Sequence, residues 1–126
     1  MRLALRRRGL WRRMLLVLVL SAFAAASALA SPSNKWRIEV SEGANSNGDL
    51  IFYMTPEGAE PIEVRVRIDK GTGENKVARK IRDAFQQALS GEEYGVEVDD
   101  GEDVLIKKRG KGARFDLVLA TSSVKS

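Results

Sequence analysis

The side chains best equipped for chemistry crowd into a short stretch near the C-terminal end. Lys107, Lys108, Arg109, Lys111 and Arg114 surround Gly110 and Gly112. Cations on a glycine-broken loop form an anion-gripping pattern, because several can converge on one phosphate or acidic polymer. Just before them, Asp99, Asp100, Glu102 and Asp103 bunch carboxylates, the hard oxygen donors that calcium takes. Their spacing departs from an EF-hand loop, however, and Asp100-Gly101 between two alternating apolar runs is first of all a hairpin signal. The basic run in turn lacks interleaved aromatic residues for base stacking, Phe115 being the nearest ring. Nucleic acid is therefore not expected as a partner. The plain reading of the run is a solvated hairpin, and the functional one is contact with an anionic envelope surface or partner.

The chain has neither histidine nor cysteine. This removes the commonest general base, the thiol nucleophile and most transition-metal ligand sets. No G-x-S-x-G element is present. Gly71-Thr72-Gly73-Glu74-Asn75-Lys76 has the outline of a phosphate loop but lacks the Gly-Lys-Ser/Thr ending, and it has no third glycine for a dinucleotide. No catalytic residue, metal ligand or cofactor is expected. Hydrolysis through carboxylates, which needs two acids facing one cleft, is the remotest alternative.

The basic residues are unevenly distributed. Arg2, Arg6, Arg7, Arg8, Arg12 and Arg13 precede the apolar run Leu15 to Ala30, which only Ser21 and Ser27 interrupt, and Ala28-Leu29-Ala30 ends it with small residues. A positive start, an apolar middle and an A-x-A end define an export signal. The run is too short for the roughly 20 apolar residues that span a bilayer. Cleavage after Ala30 is expected, leaving 31–126 as one small domain with flexible ends at 31–34 and 121–126. Arg7-Arg8-Gly9-Leu10-Trp11-Arg12 also resembles a twin-arginine export motif, with Arg6 where Ser or Thr usually stands. Beyond the leader, 15 basic residues face 17 acidic ones, a balance of about −2 that the whole-chain charge of +4 conceals. Without cysteine the domain must be held by burial and hydrogen bonds, and no lipid anchor can form at the cleavage site. The expected location is the periplasm or the cell exterior.

The elements that must position these groups follow from periodicity. Ile62, Val64, Val66 and Ile68 alternate with Glu63, Arg65, Arg67 and Asp69, a period of two that predicts a strand with one apolar face. After Gly71-Thr72-Gly73 the period changes, and Val77, Ala78, Ile81, Ala84, Phe85, Ala88 and Leu89 make one stripe of an amphipathic helix. Thr72 or Asn75 is the expected cap, with Arg79 and Asp83 paired on the outer face. Trp36, Ile38 and Val40 mark a first strand; Leu50 to Met54, continuously apolar, marks a central one. Tyr94, Val96 and Val98 and then Val104 to Lys108 form a hairpin, and Phe115 to Ala120 closes the sheet. The expected fold is α+β: one helix packed on a mostly antiparallel sheet in the order βββαβββ. Ser41 to Gly48, rich in Gly, Asn and Ser, is expected to be a mobile loop.

If Leu50, Phe52 and Met54 face the helix, Ile51 and Tyr53 face away, and the same parity places Leu105 and Val118 with them. An apolar group among charges such as Arg65 and Arg67 marks a partner surface, and sheet edges add a route by strand addition.

From Gly73 through Leu119, the layout Val77-Ala78-x-x-Ile81-x-x-Ala84-Phe85, then Tyr94-Gly95-Val96-Glu97-Val98, then Val104-Leu105-Ile106 resembles the helix-plus-hairpin module of flagellin-like proteins and phage tail components. Ile81-Arg82 stands where the flagellin version has Ile-Asn. The resemblance implies assembly or adhesion. The sequence thus points to an exported protein that binds a protein or envelope component, with a self-assembling homo-oligomeric subunit as the alternative.

Overall fold

The alternation in Ile62–Ile68 is realised as a strand whose Val64, Val66 and Ile68 are buried while Glu63, Arg65 and Arg67 are exposed. The chain was analysed as a computed structural model, which describes residues 3–8, 13–17 and 32–125. Its elements are β1 (Leu3–Arg8), β2 (Arg13–Val17), β3 (Lys35–Val40), β4 (Gly48–Pro56), β5 (Ile62–Ile68), α1 (Glu74–Ala88), β6 (Tyr94–Asp99), β7 (Asp103–Lys108) and β8 (Phe115–Ser122). From β3 onward the order is βββαβββ, the expected α+β arrangement.

The strands form two sheets rather than one. One runs β2-β1-β3-β7-β6 and the other β5-β4-β8, every neighbour antiparallel. Alternation specifies which side of a strand is buried, not which sheet it joins, so two facing sheets and a single wide one have the same periodic pattern. Trp36, Ile38, Val40, Val104 and Ile106 line the inner side of the larger sheet. Leu50, Phe52, Met54, Val64, Val66, Leu117 and Leu119 line that of the smaller, and all twelve are buried. The helix completes the enclosure with Val77, Ala78, Ile81 and Phe85. Phe85 meets Phe52 edge to face at 5.3 Å, and Tyr94 meets Phe115 in the same way at 5.3 Å, each tying a different pair of elements. The Phe115 carbonyl accepts hydrogen bonds from Trp36 Nε1 (2.8 Å) and from the Ser33 backbone (2.9 Å), so the two sheets are also stitched by polar contacts.

Some local expectations are revised. The helix is capped at Gly73 without a side-chain bond, because the Thr72 hydroxyl donates instead to Asp69 O (2.6 Å). Asp83 pairs with its neighbour Arg82 (2.9 Å). The Ser41 to Gly48 segment is pinned: Ala44 is buried and donates to Thr72 O (2.9 Å), Gly71 donates to Ala44 O (2.9 Å), and Asn45 donates to Lys125 O (2.7 Å). The ends at 31–34 and 121–126, read as flexible, are likewise anchored where they are described. Ser33 bridges to Phe115, and Val124 is wholly buried. A lone apolar residue among polar ones has no periodicity to reveal its burial.

Residues 1–30, read as an export leader, fall partly on β1 and β2 and otherwise outside the described residues. In the intact chain β1 lies along β3, Leu3 opposite Val40 and Arg7 opposite Trp36, and Leu3 is buried. The alternation of Leu3 and Leu5 with Ala4 and Arg6 suits an edge that β3 otherwise leaves unpaired. Among the described residues no helix is long and apolar enough to cross a membrane.

Candidate interaction surfaces

The basic stretch is the crossover from β7 in one sheet to β8 in the other, and that task occupies most of its charges. Arg114 holds Glu57 through two contacts (Nε to Oε2 2.9 Å, Nη2 to Oε1 3.1 Å), while the Glu57 backbone donates to Arg114 O (2.7 Å). Lys107 pairs with Glu97 across the hairpin at 2.9 Å. Lys108 Nζ donates to Gly112 O (3.4 Å), and Arg109 Nη1 to Gly91 O (3.2 Å). Lys111 is exposed and has no partner among the described residues. The five cations therefore stand along a folded connection and do not converge on one point.

The acidic hairpin is equally committed. Asp100 (φ 53°) and Gly101 (φ 77°) adopt left-handed backbone, as the Asp-Gly signal requires. Asp99 and Asp103 face each other across the strands, and Arg37 of β3 bridges them, Nη1 reaching Asp103 at 2.7 Å and Nη2 binding Asp99. Arg37 is only 7% exposed. Burial alone would lower the pKa of its guanidinium, but hydrogen bonds and attraction from the two aspartates raise it overall. Its Nε is buried without a partner among the described residues. The sequence held no signal for this cluster, because Arg37 reads as an ordinary outward charge of an alternating strand.

The outer face of the smaller sheet matches the parity expectation in part. Tyr53 is 38% exposed, stands opposite Val118 on β8 and Glu63 on β5, and is flanked by half-buried Ile51 opposite Arg65. A bulge between Ile51 and Phe52 leaves Ala120 as an extra residue of β8 beside this patch. Along the β5 side runs a loose charge ladder, with Arg65 to Asp49 and Glu63 at 3.5 and 3.4 Å and Arg67 to Asp49 at 3.6 Å. Leu105 does not join this group. It lies on β7 in the other sheet, opposite Arg37, and is 6% exposed. The continuous apolar run Leu50 to Met54 is central, between β5 and β8, but it is covered on one face only.

A cleft of about 210 Å³ opens between the end of α1 and β6. The polar groups across it, Gln86 and Arg109, are already bonded to Val96 O and Gly91 O. Ser122 and Lys125 have Ser-x-x-Lys spacing, but the Ser122 hydroxyl donates to Val124 O (3.4 Å) at the strand end. No group of acidic, histidine or cysteine side chains among the described residues is arranged to hold a metal ion. Comparison with protein-family models, curated proteins and solved structures finds no match.

Proposed function

We propose that residues 1–30 direct export and that the remaining domain acts by binding a protein partner in the cell envelope through the outer face of β4. The observation that carries this reading is Tyr53, exposed at the centre of a charged sheet face with Ile51 and Val118 beside it. A large aromatic ring with an apolar surround and a polar rim is the composition of an interface centre. The neighbouring ion pairs, at 3.4 to 3.6 Å and solvent-exposed, are worth about 0–1 kcal/mol each, so they can exchange partners at little cost. The basic crossover supports the reading less, since its cations serve the fold.

A photo-crosslinking residue at Tyr53, with one at Lys108 as comparison, tests this in intact cells producing the full chain. A discrete adduct at position 53 and none at 108 is expected, and the adduct mass separates a foreign protein from a second copy. Adducts at 108 alone transfer the role to the basic crossover, and none at either position removes both surfaces.

A further inference from the structure

The two ends of the larger sheet differ. At β6 the outer backbone is partly blunted, with Gln86 Nε2 of α1 donating to the outward Val96 O (2.9 Å). At the opposite end β3 is bordered only by β1 and β2, both within residues 1–30. Val40 N–H donates to Glu102 O (3.3 Å) and Asn34 O accepts from Lys108 N–H (2.9 Å), so even-numbered positions of β3 bond toward β7. In an antiparallel ladder a residue sends both backbone groups to one side, so Lys35, Arg37 and Glu39 send theirs toward β1. Removal of residues 1–30 turns these groups into an open template for strand addition.

We propose that a second copy of the cleaved chain takes the place of β1, with β3 pairing antiparallel to β3 about a two-fold axis at Ile38. An isologous pair joined through outward-bonding residues must set odd positions opposite odd positions. Centred on Trp36 it opposes Lys35 to Arg37; centred on Arg37 or on Glu39 it opposes like charges on the axis. Centred on Ile38 it opposes Arg37 to Glu39 of the second copy twice over and Lys35 to Ser41. On the core side it brings Ile38 to Ile38 and Val40 to Trp36, so the apolar position that Leu3 fills in the intact chain passes to an indole. Arg37 provides an independent reason. In the intact chain its Nε is buried with no partner among the described residues, and its cross-strand neighbour there is another basic position, Arg6. The dimer puts a carboxylate there.

The inference goes beyond the binding role proposed for β4 and rests only on the export half of that reading. The test uses the full chain made in cells, with the exported product isolated and weighed, alongside the variant Lys35→Cys/Ser41→Cys. Position 35 begins β3 and position 41 directly follows its end, so about 16 Å or more of extended strand separates them, too far for an internal disulfide, and the chain has no other cysteine. Any disulfide in the variant is therefore intermolecular. The expected result is a product beginning at Ser31, with twice the chain mass by light scattering and conversion of the variant to a covalent dimer on oxidation. A cleaved product that stays monomeric up to ~0.1 mM and does not crosslink overturns the dimer and leaves export intact. A dimer in which 35 and 41 do not join overturns the β3 register. A product retaining residues 1–30 overturns the export premise, and the dimer with it.

Discussion

Gly95 and Gly112 both lie against neighbouring groups, but their neighbours differ in what they can yield. A Cβ at Gly112 would stand 2.1 Å from the Glu93 carbonyl oxygen, which is backbone; one at Gly95 would meet the Arg109 guanidinium at 2.6 Å, the far end of a flexible side chain. Gly112→Ala is therefore expected to push the crossover off β6 and cost about 1–3 kcal/mol, whereas Gly95→Ala only displaces Arg109 and changes stability far less. Denaturant unfolding of the two variants side by side checks the contrast. Charge placement at Glu102 leads to a second expectation. Glu74, at the start of α1, raises the Glu102 carboxyl above its ordinary value of 4.5. A raised value in the folded chain means tighter proton binding there, so this contribution to stability is fully present below the unfolded value and is lost as pH rises through the folded one. Glu102→Gln should raise the Tm at pH 7 and leave it unchanged at acid pH; equal shifts at both would exclude repulsion as the cause. At this scale the sequence revealed the turn residues faithfully, Asp100 and Gly101 among them. It concealed which charges were spent, because the partners of Arg37 and Arg114 lie 62 and 57 positions away.

At the level of elements, the periodic pieces were legible and the pieces that hold them were not. Ile62–Ile68, α1 and the β6–β7 hairpin stand where alternation and the helical stripe placed them. The Ser41 to Gly48 connection and the tail were misread as loose because their anchors are single residues, Ala44 and Val124, and backbone bonds that composition cannot show. Gly48 makes the same point: a Cβ there would lie 2.7 Å from the Ser123 backbone, so tail and loop are in direct contact. Val124→Ala should cost about 1–3 kcal/mol, in the range of buried apolar truncations. Amide exchange offers the sharper reading, since the donors of Ala44, Asn45 and Gly71 should lose protection together in that variant. Protection unchanged at these amides would show the loop to be held without the tail. The outer patch on β4 was visible from parity for Ile51, Tyr53 and Val118. Leu105 was misplaced because parity is blind to the division into two sheets.

For the molecule as a whole, the two sheets and the helix share one core, joined through Phe52 to Phe85 and Tyr94 to Phe115. Among the described residues no subset of strands has an interior of its own. Unfolding of the domain is accordingly expected to be a single transition, with the signal of buried Trp36 coinciding with loss of helix and sheet. Separate midpoints for the two signals would mean that one sheet outlasts the other. The order of the strands also bears on when the chain can fold at all. β4 gains one of its two neighbours only from β8, which with the residues after it brings Phe115, Leu117, Leu119 and Val124 into the interior. A nascent polypeptide whose β8 segment is still inside the ribosome has the enclosure open along one side. Closure of the core therefore waits on the emergence of β8, so folding of this domain follows the synthesis of that strand and does not accompany the making of the earlier ones.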